Sequence, residues 1–263
     1  MSKIFVCLFA VIFALPSLAQ TPPRYTATVS AKYAYRCIWT KEKWQGDDTP
    51  YRAVRLQIEK ALRAGKSADT LIAYYRNEYE QKPTDNLKLF AWACAVVLPR
   101  VLHLRDDTDF QYVCRAYDKS KPPHTFEYMR LRYLTEAQYG SNDYTTALGE
   151  RLIAQDKNDF YILFYLWKDI MSDAPGAKEK SLGYARRIIE LKPASPTGYV
   201  CMEIRYFSHW RIYGHHAEDG KQTIYWANEY IKHENRVGPQ YKKNREEVKE
   251  DIKDIEKWSV AQK

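Results

Sequence analysis

Apolar residues recur at three- and four-residue spacing in a succession of short blocks, and polar corners separate the blocks. The corners read EQKPTDN (80–86), KSKPPHT (119–125), AQDKNDF (154–160), ELKPASP (190–196) and IKHENRV (231–237). With Pro83, Pro122, Lys157, Pro193 and Asn235 as markers, the steps are 39, 35, 36 and 42 residues. A repeat of that length predicts stacked helical hairpins, because stacking buries faces that one hairpin leaves bare.

The first helix is predicted from Thr49-Pro50, an N-cap followed by proline at the first helical position. Tyr51, Val54, Ile58, Ala61 and Leu62 form its apolar stripe, and Gly65 ends it. A second helix follows over about 68–80, with Leu71, Tyr74, Tyr75 and Tyr79 inward, and Pro83 stops it. Asp85 caps a third helix carrying Leu87, Phe90, Ala91, Cys94 and Val97, which Pro99 ends or kinks. A fourth starts at Thr108 or Asp109. The third pair runs from Thr125 to Asp156. The fourth pair is 160–171 with 177–191, and its first member, FYILFYLW, is apolar nearly all round. The fifth spans about 197–213 and 217–233. Residues 238–260 read as a charged amphipathic helix, the polar end cap a stack needs to stay in solution.

Ahead of the blocks, Lys3 precedes the apolar run Ile4–Leu15, and Ser17-Leu18-Ala19 places small residues as a cleavage site does. The chain is therefore divided as a signal peptide (1–20), a segment of open structure (21–48, a short strand or an irregular helix), helical repeats (49–235) and a C-terminal capping helix (236–263). The expectation is an exported protein, periplasmic or extracellular, with no transmembrane segment after cleavage. In that compartment disulfides are permitted, and Cys94 with Cys114, on successive antiparallel helices, is the favoured pair; the alternative is small buried apolar residues.

Hydrophobic residues at 45% and charged residues at 28% place the chain among globular proteins. Its net charge of +8 permits contact with an anionic envelope surface, but no run of five basic residues appears. Export argues against a nucleic-acid partner.

The helix pairs resemble the tetratricopeptide repeat family. The best unit covers Tyr161–Ser195. Gly176 stands at the family's turn glycine, and Ser181 takes the place of the small residue early in the second helix. Leu182, Tyr184, Ala185 and Ile188 match packing positions, and Pro193 matches the closing proline. Residues 61–83 match more loosely through Leu62, Gly65, Leu71, Tyr74 and Pro83, and 142–159 through Tyr144 and Ala147. No unit carries the whole pattern, and the large-to-small signature of the first helix is mostly absent. The resemblance implies an all-α, right-handed solenoid of antiparallel helix pairs. It also implies that a peptide or protein partner sits in a concave groove lined by the first helix of each pair.

With 22 tyrosines in the chain, a surplus of rings on that groove is the expected binding chemistry. Two groups are nominated: Tyr74, Tyr75 and Tyr79, and Tyr206, Trp210 and Tyr213. The densest polar cluster is HWRIYGHHAEDG (209–220), where His209, His215, His216 and Asp219 carry the ligand types of a divalent metal site. Its spacing fits no standard site, and a polar loop between helices explains it as well. Asp106, Asp107 and Asp109 precede a predicted helix, where acids complement the dipole. Neither a phosphate loop nor a serine nucleophile motif is present, so no cofactor and no catalytic residue is assigned. The leading expectation is a non-catalytic scaffold. The alternatives are an exported hydrolase of cell-wall glycan or peptide working near 209–219, and a subunit of an envelope assembly.

Overall fold

The computed structural model describes residues 44, 46–102, 113, 116, 119, 120, 123–137, 143–170, 176–234 and 242–261. The signal region, the segment 21–43, the Asp106–Asp109 cluster and Cys114 lie outside them. Among the described residues there are helices and no strand. In chain order they are α1 (Thr49–Arg63), α2 (Ala68–Gln81), α3 (Asn86–Val101), α4 (Phe126–Glu136), α5 (Asp143–Gln155), α6 (Phe160–Asp169), α7 (Ala177–Leu191), α8 (Thr197–Ile212), α9 (Ala217–Glu234) and α10 (Lys242–Ala261).

Side-chain caps set several of the starts. The Asp85 carboxylate accepts from the N–H groups of Leu87 and Lys88 at 3.0 and 3.3 Å. Thr125 Oγ1 accepts from Tyr128 N–H at 3.2 Å, and Asp159 from Tyr161 and Ile162 at 3.1 and 3.2 Å. Each such cap pairs an amide that the helix itself leaves orphaned. At α1 the cap position falls one residue earlier than expected, on Asp48. Asp47 takes the Thr49 N–H at 2.9 Å, which draws Thr49 into the first turn. Pro99 acts only at the end of its helix, since α3 continues to Val101.

Neighbouring helices pack in sequence: α2 on α3, α4 on α5, and each helix from α5 to α9 on the next. Contacts that skip a helix accompany them, α4 on α6 and α1 on both α3 and α4. One large core spans Ile58 to Leu166. Two smaller ones continue it, around Trp167, Leu182 and Met202, and around Tyr199, Ala227 and Tyr230. The helix buried on all sides is α4, where every residue is buried although four are charged. Those charges are paired. Arg130 bonds Asp159, Arg132 bonds Glu136, and Glu127 takes Arg52 and Arg55. Burial of such groups is tolerated only with partners of that kind. At the far end, α10 seats Val248 and Ile255 and leaves its other side polar. Among the described residues no helix is long and apolar enough to cross a membrane.

Candidate functional site

Three helix ends meet at one polar cluster. Gly176 turns the chain into α7 at φ +79°, a conformation open to glycine, and sets Lys178 in the first turn. His209 lies in the last turn of α8, and Asp219 in the first turn of α9. An acid there complements the positive end of the helix dipole. Lys178 Nζ donates to Asp219 Oδ1 at 2.5 Å, and His209 Nδ1 stands 2.6 Å from Oδ2. Lys178 Nζ also lies 3.3 Å from the same imidazole nitrogen. The short contact to the carboxylate assigns the proton to Nδ1, so the lysine's bond goes to Asp219 and Nε2 is left for other partners.

Asp219 is nearly enclosed, its side chain 8% exposed, against 22% for Lys178 and 25% for His209. Burial pushes the Asp219 carboxyl up, but the hydrogen bonds from Lys178 and His209 outweigh it and hold the group below its usual value. Aromatic rings wall the cluster. The Tyr206 ring lies 5.2 Å from the Lys178 ammonium, and the Tyr213 ring 4.4 Å from the imidazole. The chemistry available is that of an imidazole oriented by a carboxylate, able to take or give a proton at Nε2.

Of the nominated ligands, then, His209 and Asp219 come together. His215 does not join them. At φ +61° it is turned toward the C-terminal helix, stacked on Trp258 at 5.5 Å and edge-on to Trp210 at 4.4 Å. His216 is exposed in the connecting loop. Among the described residues no three His, Cys, Asp or Glu side chains are grouped to hold a metal. Lys178 was missed by the sequence reading. It follows a turn glycine thirty-one residues from His209, and only tertiary packing joins them.

The tyrosine groups divide in the same way. Tyr79 stacks on Trp92 at 5.3 Å, and Tyr75 is half-buried against the large core. Tyr74 is 58% exposed, edge-on to Tyr75. On α8, Tyr206 packs against the second core and Trp210 is buried, whereas Tyr213 reaches solvent. Cys94 is a buried free thiol, pushed up by burial; its nominated partner Cys114 is outside the described residues.

Fold and cluster together define an all-α protein of successively packed helices with a polar three-helix junction. Searches of family models, curated proteins and solved structures match nothing to this chain.

Proposed function

We propose that the chain is an exported, non-catalytic interaction module. On this reading it is a right-handed, tetratricopeptide-like solenoid that holds a peptide or protein segment along the side shared by its first helices. The observation that carries the reading is the packing of first helices on one another, α3 on α4 and α4 on α6, superimposed on packing between successive helices. In a stack of hairpins the first helices touch one another in this way and line a common face. Exposed rings beside that face, Tyr74 on α2 and Tyr213 after the end of α8, add amphipathic contact area at low entropic cost. Export is supported by the positive start, the short apolar run and the small residues that follow it.

The test is capture from an envelope extract on the immobilised chain and on a Tyr74→Ala/Tyr213→Ala variant. A polypeptide retained by the first and reduced at least tenfold on the second is the expected result. Equal retention on both forms would remove the aromatic surface from the reading.

One observation favours a second reading, hydrolysis of cell-wall glycan or peptide at the 209–219 junction. The carboxylate-held imidazole leaves Nε2 able to act as a base. Release of product from cell-wall material that disappears in His209→Ala would establish it, and equal release from both proteins would end it.

A further inference from the structure

We propose that residues 44–63 are a removable occupant of a helix-binding face made by α3, α4 and α6. The partner that replaces them is an amphipathic helix of the same pattern: apolar residues at i, i+3, i+7 and i+11, with arginines at i+1 and i+4. The proposal rests on the chain being a binding module and specifies what that module takes.

The contacts trace the occupant. The Trp44 ring meets Phe126 edge-on at 5.9 Å, with the Arg151 guanidinium 4.5 Å over the Trp44 ring. Asp48 Oδ1 accepts from the Glu127 N–H at 2.9 Å, completing from outside the α4 terminus that Thr125 caps from within. Tyr51 packs on Phe90 of α3 at 5.2 Å and on Tyr128 of α4 at 5.7 Å. Arg55 clasps Glu127 with two bonds of 2.7 and 3.0 Å, and Arg52 adds a third at 3.3 Å. At the far end Arg63 donates to the Tyr161 hydroxyl of α6 at 2.9 Å. A first helix in a plain stack lies beside its successor. This one reaches three helices, each the first member of a later pair.

The seat is one-sided. Tyr51, Val54, Arg55, Ile58 and Leu62 face the body, at i, i+3, i+4, i+7 and i+11, while Ala53, Leu56 and Lys60 look outward. That stripe is how an amphipathic helix enters a groove. The floor fixes the charge. Glu127 is 1% exposed, and both guanidiniums that bond it belong to the covering helix. An incoming helix without cations at those positions would leave the carboxylate buried and unpaired, which is strongly unfavourable. Lifting α1 instead opens Glu127 to water. Residues 64–67 join α1 to α2; Gly65 at φ +82° turns the chain, and the Gly65 and Lys66 N–H groups donate back to Leu62 and Ala61, so this turn belongs to α1 and any opening pivots beyond it.

A fluorescein-labelled synthetic peptide of residues 44–66 provides the probe, titrated against the full chain by anisotropy. The wild-type chain, whose own helix fills the face, binds it weakly. An Arg55→Glu/Ile58→Asp chain, whose helix seats poorly, binds it at least tenfold more tightly. Adding Glu127→Arg to that chain abolishes the gain, and a peptide carrying Arg55→Glu restores it. No gain in a variant that keeps its helical circular dichroism overturns the proposal, and so does conversion to a swapped dimer in light scattering. A second form, with a protease site in place of 64–67, guards against a folding defect. If the body loses its helical signal both in the variant and after cleavage and peptide displacement, α1 is integral and the proposal falls. Failure here with a partner still captured by the wild-type chain leaves the binding-module reading intact. Absence of any captured partner counts against that reading alone.

Discussion

Gly198 and Gly183 look alike in the sequence, yet they stand in opposite environments. A β-carbon on Gly198, in the first turn of α8, would come within 2.5 Å of Ile189 Cγ1 and 2.9 Å of Ile189 N on α7. The backbone partner cannot rotate away, so Gly198→Ala forces α7 and α8 apart and is expected to cost about 1–3 kcal/mol. A β-carbon on Gly183, on the exposed side of α7, would meet nothing within 4 Å. There Gly183→Ala restricts the unfolded chain without a clash and is expected to stabilise by roughly 0.5–1 kcal/mol. Urea denaturation of the two variants checks both, and equal effects of the same sign would contradict the close approach of α7 to α8. The charged residues of α4 give the same lesson. Arg130 reads as a surface residue in the pattern FEYMRLRYLTE, but it sits 4% exposed against Asp159, a partner that also caps α6. Removing the arginine alone strands a buried carboxylate and is expected to cost about 3–5 kcal/mol.

Among the elements, α10 carries a clear dependence on acidity. Glu203 of α8 is fully buried and faces the Asp251 carboxyl of α10. Burial first, and then the Asp251 charge, push the Glu203 carboxyl up to about 9. Burial also raises Asp251, with Asp254 and Glu247 adding repulsion and Arg211 opposing it. One proton is thus held between two carboxyls. In the unfolded chain the glutamate titrates near ~4.3, so folding takes up a proton between that value and about 9. The clamp on α10 is fully present at acid pH and weakens as pH rises through that window. Its slope is on the order of 1 kcal/mol per pH unit. Denaturation at pH 5 and pH 8 should show the chain weaker at the higher pH, and Glu203→Gln should flatten the difference. The junction at Asp219 has the opposite sign. Its lowered carboxyl contributes above the ordinary aspartate value, and that contribution is lost as pH falls through the depressed one.

At the scale of the molecule, stability is distributed along the stack. Among the described residues there are three cores, and the main contacts that lead from α8–α10 to the large one run through α6 and α7. Such an array unfolds in parts, because each unit draws its burial from its neighbours. Tyr230→Ala removes a fully buried ring from the third core, a loss of about 3–5 kcal/mol. Hydrogen exchange on this variant should show α9 and α10 losing protection while α3, α4 and α6 keep theirs. Uniform loss along the whole chain would mean a single cooperative unit. The proposed opening of α1 is the complementary case at the other end, where Ile58 and Leu62 would leave the edge of the large core.

Among the described residues the helices were legible in the sequence, with the start of α1 displaced by one residue. Periodicity, caps such as Asp85 and Thr125, and corners such as Lys192-Pro193 act within a few residues, so they can be read without a fold. The sequence also nominated His209 with Asp219, which lie ten residues apart across one connection. Tertiary structure alone decided that the most deeply buried helix is the charged α4 rather than the apolar α6. It decided that His215 wedges against Trp258, that Lys178 completes the junction, and that α1 lies across three later helices. Each of these turns on a pairing between residues distant in the chain, where the choice among many partners is made by packing and by the cost of leaving a buried charge alone.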